Sequence, residues 1–160
     1  MKKRIKAAWL AFKDPEIIEA KDELTGALTR RSFKRLAESE LARAKRGQSL
    51  SLVYLDFDNL KEINDTKGHP EGDLYLEKFA QTIMSNIRPY DLFVRWGGDE
   101  FVLLLPGVDL VVVGEIISRL YNLFPHFSWG ISSLCDGDDL GNLIKRADEK
   151  MYQMKASKKK

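Results

Sequence analysis

Apolar positions along this chain change period several times, and each change predicts an element. Leu50–Leu55 is an almost continuous apolar run, the pattern of a strand buried on both faces. Leu92-Phe93-Val94 and Val102-Leu103-Leu104-Leu105 are two more such runs. They are joined by a short polar stretch with two glycines and two acids, which predicts a tight hairpin over 92–105 with carboxylates at its tip. Phe127, Trp129 and Ile131 alternate with other positions, as in a strand over 127–133. Elsewhere the spacing lengthens to three and four. Phe33, Leu36, Leu41 and Ala44 predict a helix that Thr29 or Ser32 can cap and Gly47 ends. Leu60–Asn64 reads as a short helical turn. Leu74–Ile87 has a clear helical period stopped by Pro89. Leu110–Phe124 reads as a helix whose start is ambiguous because of Val111-Val112-Val113. An acidic loop with a capping acid, Asp136–Asp139, precedes a last helix over Leu140–Lys155. Ile5, Trp9, Phe12, Ile17 and Ile18 suggest a partly amphipathic helix over 4–20, started anew or kinked at Pro15.

The order α-β-α-β-β-α-β-α predicts an α+β fold with helices packed on one face of a mainly antiparallel sheet. Its β-α-β-β-α-β core is ferredoxin-like, the α/β sandwich of nucleotidyl-transferase palms. Residues 1–20 form an N-terminal extension in this reading, and 21–160 one domain. A chain of 160 residues with 44% apolar content can bury a core of that kind.

A net charge of +2 argues against a bulk-electrostatic nucleic-acid binder. The basic residues Lys2, Lys3, Arg4 and Lys6 at one end and Lys158, Lys159 and Lys160 at the other read as solvated termini. Cys135 is the only cysteine, so no internal disulfide forms and a cytoplasmic location is expected. No apolar stretch approaches the ~20 residues of a membrane span. The segment Ala7–Phe12 is too short for a signal sequence and lacks a cleavage site.

Asp56-Phe57-Asp58 ends one apolar run and Asp99-Glu100 sits on the hairpin. Either Asp56 or Asp58 can cap the turn that follows. Alternatively, two strands ending together bring three or four carboxylates within reach of one or two metal ions holding phosphate oxygens. Acids packed that closely repel one another, so a cation is the simpler account. Gly97-Gly98 serves a turn with positive φ or the close approach of a phosphate to bare backbone.

Gly97-Gly98-Asp99-Glu100-Phe101 resembles the signature of the GGDEF family of diguanylate cyclases. Asp22-x-Leu24-Thr25-Gly26 followed by Arg30-Arg31-x-Phe33 resembles that family's entry motif. Asp56-x-Asp58-x-x-Lys61-x-x-Asn64-Asp65, then Gly68-His69 and Gly72-Asp73, resembles its metal and guanine segment. Ala147-Asp148-x-x-Met151-Tyr152-x-x-Lys155 resembles its last helix. Together these motifs span residues 22–157 in the family's order.

The resemblance implies roles. Asp56 and Glu100, helped by the Phe57 carbonyl, would hold Mg²⁺, with Mn²⁺ able to substitute. Asp99 would sit at the metal and help deprotonate the attacking 3′-hydroxyl. Asp58, Gly97 and Gly98 would line the GTP site, and Lys61 and Lys155 would contact the triphosphate. Asn64 and Asp73 would read the guanine edge, Asp73 accepting from N1–H and N2–H₂, donors that adenine lacks there. From the residues alone, Asn64 reads equally as a helix cap and Asp73 as an N-cap before Leu74. Arg88-Pro89-Tyr90-Asp91 matches the family's RxxD inhibitory site for the cyclic product, whereas by itself it reads as an Arg–Asp pair closing a proline turn. The family usually has asparagine, leucine and phenylalanine where this chain has Thr29, Ala27 and Leu60. After Lys155 it commonly has a Gly-Arg/Lys-Asn turn where this chain has Ser157-Lys158-Lys159-Lys160. Lys159 would then stand in for a basic residue on the phosphates.

The implied activity is condensation of two GTP into cyclic di-3′,5′-GMP with release of two pyrophosphates, at a site between two copies of the domain. The implied partners are therefore GTP, the cyclic product and a second subunit. A catalytically silent GTP or cyclic di-GMP receptor is the alternative; retention of Asp56, Asp99 and Glu100 favours the enzyme.

Overall fold

The structure, a computed structural model, describes residues 20–158. The expected N-terminal helix lies outside them but for Ala20, and Lys159 lies outside them entirely. The elements are α1 (Arg30–Ala44), β1 (Leu50–Phe57), α2 (Leu60–Lys67), α3 (His69–Ser85), β2 (Leu92–Arg95), β3 (Glu100–Pro106), α4 (Leu110–Leu123), β4 (Phe127–Ser133) and α5 (Leu140–Lys158). The strands form one sheet in the order β2-β3-β1-β4, and every strand pair is antiparallel. This is the expected α+β palm.

Helices cover both faces of the sheet rather than one. The reason lies in β1 and β3, whose side chains are apolar at odd and even positions alike, so neither face can meet water. Leu50, Leu52, Tyr54, Val102 and Leu104 pack with α1 and α5. Val53, Leu55, Phe57, Phe101 and Leu103 pack with α3 and α4. On β4 the large residues Phe127, Trp129 and Ile131 belong to the second face. The alternate positions are small, and α5 closes on them: Ser132 donates to the Leu143 carbonyl at 2.7 Å. A Cβ on Gly130 would stand 1.9 Å from the Ala147 carbonyl oxygen.

Local chemistry moved several expected boundaries. Thr29, not Ser32, caps α1, its hydroxyl accepting from the Ser32 amide. Asp109 accepts from the Val111 and Val112 amides at 3.0 and 3.1 Å, which starts α4 despite the β-branched run. Gly68, at φ +88°, breaks the chain between α2 and α3, a conformation that favours glycine. Pro70 then occupies the first turn of α3, where its missing N–H costs nothing. The helix thus begins at His69 rather than Leu74, because its first turn is polar and conceals the period. Asp73 is consequently inside α3 and is not its N-cap, and Asn64 lies within α2 and caps neither end.

Candidate active site

Alternation along the central strands sets the site. Asp56 continues the face of Leu52 and Tyr54, and Glu100 continues that of Leu104 and Val102, so both acids emerge on the side covered by α5. They are direct partners in the β1–β3 register. Just beyond, the Phe57 amide donates to the Asp99 carbonyl at 2.8 Å. Neither Asp56 nor Asp58 caps α2; its N-cap residue is Asn59, which makes no side-chain capping bond.

Both aspartates face lysines of α5 instead. Lys155 Nζ donates to Asp56 Oδ1 at 2.5 Å. Lys158 Nζ donates to Asp58 Oδ2 at 2.8 Å, and Ser128 Oγ donates to Asp58 Oδ1 at 2.8 Å. Burial, with the charges of Asp99 and Asp58, lifts the Asp56 carboxyl above its ordinary value against the pull of Lys155. Burial opposes the Lys155 charge too, yet its bond to Asp56 and the surrounding carboxylates raise its pKa. Negative charge is therefore in excess here.

The expected cluster of three or four carboxylates is not assembled in this arrangement. Among the described residues no three acidic, histidine or cysteine side chains converge closely enough to hold a metal. Each of Asp56 and Asp58 is instead paired with its own lysine. The donor set still fits a divalent cation. Hard oxygen ligands are paired in register, Asp56 buried and Glu100 half-buried, and the cation now on Asp56 is an ammonium group.

The hairpin tip is held from behind. The Trp96 and Gly97 amides both donate to the Glu100 carbonyl, at 2.8 and 3.1 Å. The Arg95 guanidinium donates to the Gly98 carbonyl at 2.8 Å and to both carboxylate oxygens of Asp22 at 3.1 and 3.2 Å. Burial resists ionisation of Asp22, but the Thr25 hydroxyl and amide and Arg95 hold its carboxyl below its usual range. Arg95 is a supporting residue that sequence reasoning missed; its only signal was a cation next to the hairpin. Gly97 and Gly98 do not have left-handed φ, so the positive-φ reading fails. Gly97 is required for proximity: a Cβ there would meet Glu100 Oε2 at 2.7 Å. A Cβ on Gly98 would meet nothing within 4 Å, which leaves open space over bare backbone.

Asn64 carries the one buried side-chain polar atom among the described residues without a hydrogen-bond partner, its Oδ1. It sits over Gly72, where a Cβ would stand 1.9 Å away. The pairing of α2 with α3 thus brings Asn64 beside the residue preceding Asp73, which is exposed. Lys61 is exposed on the first turn of α2.

Arg88 and Asp91 form the turn-closing pair. Arg88 donates through Nη2 to Asp91 Oδ1 at 2.8 Å, and its amide donates to Oδ2 at 2.7 Å. Its guanidinium also donates to the Pro106 carbonyl at 3.0 Å and lies 4.6 Å from the Tyr90 ring centroid. Asp91 is buried and fully engaged, whereas Arg88 is partly exposed beside an open cleft of about 550 Å³ that Arg43 and Tyr90 also line.

Residues 19–160 match the family described as diguanylate cyclase, GGDEF domain. Probable diguanylate cyclase DgcJ of Escherichia coli (strain K12) is 36% identical over 146 residues, covering 86% of this chain and 29% of that protein. Response regulator PleD of Caulobacter vibrioides is 37% identical over 153 residues, covering 85% of this chain and 34% of PleD. The chain spans about a third of the length of these curated relatives. The crystal structure of diguanylate cyclase SiaD in complex with its activator SiaC, from Pseudomonas aeruginosa, superposes with a TM-score of 0.82 at 33% identity, covering 97% of this chain and 64% of that one. The GGDEF domain of DgcB from Caulobacter crescentus in complex with c-di-GMP superposes with a TM-score of 0.83 at 25% identity, covering 87% and 89% of the two chains. A match over nearly the whole chain, with Asp56, Asp99 and Glu100 all in place, makes this chain a member of the GGDEF diguanylate cyclase family.

Proposed function

We propose that residues 21–160 form a diguanylate cyclase domain that joins two GTP molecules into cyclic di-3′,5′-GMP and two pyrophosphates. The observation that carries the reading is the register pair Asp56–Glu100, emerging beside a lysine at the ends of two buried strands. Each domain binds one GTP. Two facing copies, in a stable or transient dimer, present each 3′-hydroxyl to the other's α-phosphate, since a cyclic product needs two equivalent attacks.

Asp56, Glu100 and the Phe57 carbonyl would hold Mg²⁺, or Mn²⁺ in its place. The ion, when bound, neutralises phosphate charge during the attack. Lys155 then exchanges Asp56 for the triphosphate, and Lys61 approaches it from α2. Asp99 accepts the proton from the 3′-hydroxyl. Gly98 lets phosphate reach the backbone. The orphan Oδ1 of Asn64 supports guanine recognition, because a buried acceptor without a partner is satisfied by a ligand donor. Asp73 adds acceptors for the guanine N1–H and N2–H₂.

The cyclic product inhibits at Arg88, whose guanidinium projects into the adjoining cleft. Asp91 accepts from guanine only once its bonds to Arg88 open. A free, exposed Cys135 accords with a reducing cytoplasm. Among the described residues no helix is long and apolar enough to cross a membrane.

The test is incubation with GTP and MgCl₂ at several protein concentrations, with chromatography of the products. Cyclic di-GMP forming with a rate per protein that rises with concentration is expected. No product, but binding of GTP or cyclic di-GMP, would make this a receptor domain.

A further inference from the structure

We infer that Lys158 is a positioning residue that latches the last turn of α5 onto the sheet and so keeps Lys155 over the acids at the end of β1. The ammonium of Lys158 sits among four groups from three parts of the fold. It donates to Asp58 Oδ2 at 2.8 Å and to the Phe127 carbonyl at 2.7 Å. It also lies 5.4 Å from the ring centroid of Tyr121 and 5.8 Å from that of Trp129. A carboxylate, a carbonyl and two aromatic faces all favour a cation. Asp58 is itself tied to β4, accepting from the Ser128 hydroxyl at 2.8 Å.

The need for a latch follows from the helix. The last turn of a helix has carbonyls without intrahelical partners and frays unless tied down. Met151 is the last fully buried residue of α5; Met154 is half-buried, its sulfur accepting from the Trp129 amide at 3.3 Å, and Tyr152, Gln153, Ala156 and Ser157 are exposed. Met154 is thus the last apolar contact of α5 with the sheet, and among the described residues beyond Lys155 only Lys158 reaches back to it. Lys158 follows Lys155 by three positions and so shares its face of the helix. Asp56 and Asp58 are two positions apart at the strand end. The two pairs form a ladder in which the outer rung, Lys158–Asp58, fixes the last described turn of α5. The inner rung, Lys155–Asp56, is then held one turn from the end and ready to transfer to phosphate. The consequence for Lys155 rests on the proposed GTP site; the latch itself does not.

The experiment compares the parent with Lys158→Met, which keeps the apolar stem without the charge, and Lys158→Arg, which restores a cation. Amide hydrogen exchange over residues 152–158 should quicken at least tenfold in Lys158→Met, while residues 143–151 keep the parent rate. GTP affinity, measured by calorimetry with Ca²⁺ to suppress turnover, should fall about tenfold. In turnover with Mg²⁺ the KM for GTP should rise by the same factor with kcat within threefold. Lys158→Arg should restore most of both. Exchange within twofold of the parent overturns the latch. Faster exchange with unchanged GTP affinity overturns the positioning of Lys155. A parent that binds no GTP refutes the proposed function and the transfer of Lys155 to phosphate with it, and the exchange measurement still decides the latch.

Discussion

Replacing Gly72 with alanine separates the stability of the α2–α3 pair from guanine recognition. Gly72 has no left-handed φ, so alanine suits its backbone. Exchanging a glycine for alanine within a helix gains about 0.5–1 kcal/mol. The added Cβ, however, would stand 1.9 Å from Asn64 Oδ1, 3.0 Å from its Cγ and 3.2 Å from Leu60 Cδ1. The Asn64 amide must rotate away, at about 0.5–1.5 kcal/mol if it leaves its rotamer well. Against that, Oδ1 has no partner where it now lies, and an orphaned buried acceptor costs about 1–3 kcal/mol that exposure to water would recover. The stability terms sum to between zero and about 3.5 kcal/mol in favour of alanine, so Tm should hold or rise, by at most about 14 °C at ~2–4 °C per kcal/mol. Recognition should suffer instead. A guanine donor left facing no acceptor costs about 1–3 kcal/mol, or roughly 5–150-fold in the KM for GTP. Thermal melting and steady-state kinetics on one preparation give both numbers. A KM within twofold of the parent, or a Tm lowered by more than about 2 °C, would refute the reasoning.

Glu100→Gln keeps the side chain's shape and removes its charge, so product formation should fall at least about 100-fold with Tm unchanged; chromatography finding a loss under tenfold would count against Glu100 as a ligand. Gly130→Ala places a methyl group against main-chain atoms of α5 that cannot step aside, and a melt should register a loss of about 1–3 kcal/mol or more. Asp138 is held at about 2 by Arg146, whose guanidinium bonds its carboxylate at 2.6 Å, and by the Cys135 amide. Because that value lies below the ordinary 3.8, the stabilisation is present above about pH 4 and lost as pH falls towards 2. The urea midpoint of the parent should therefore exceed that of Asp138→Asn at pH 7, and the gap should narrow as pH falls below about 4 and close only below about pH 2. Arg88→Ala should weaken inhibition by added cyclic di-GMP and lower Tm, since Asp91 stays buried without its guanidinium partner; unchanged progress curves would leave Arg88 with the turn alone.

What the sequence determined by itself was whatever repeats over two to four residues. The strands showed as apolar runs, and their alternation already put Phe127, Trp129 and Ile131 on one face. The acids of the site stood where those runs end, and their motifs named the family. Signals of this kind are local, because side-chain direction follows backbone period. The start of α3 escaped for the same reason: five polar or small residues, His69 to Asp73, carry no apolar period. Only the tertiary structure decided what depends on partners far along the chain. Lys155 meets Asp56 across 99 positions and Lys158 meets Asp58 across 100. Nothing near either lysine encodes that pairing; it arises because small residues on β4 let α5 lie close to the sheet. The registration of Asp56 with Glu100, the prop of Arg95 on Asp22, and the stranded oxygen of Asn64 over Gly72 are of the same class. Each follows from which surfaces pack together, and packing is settled by the whole core rather than by any one segment.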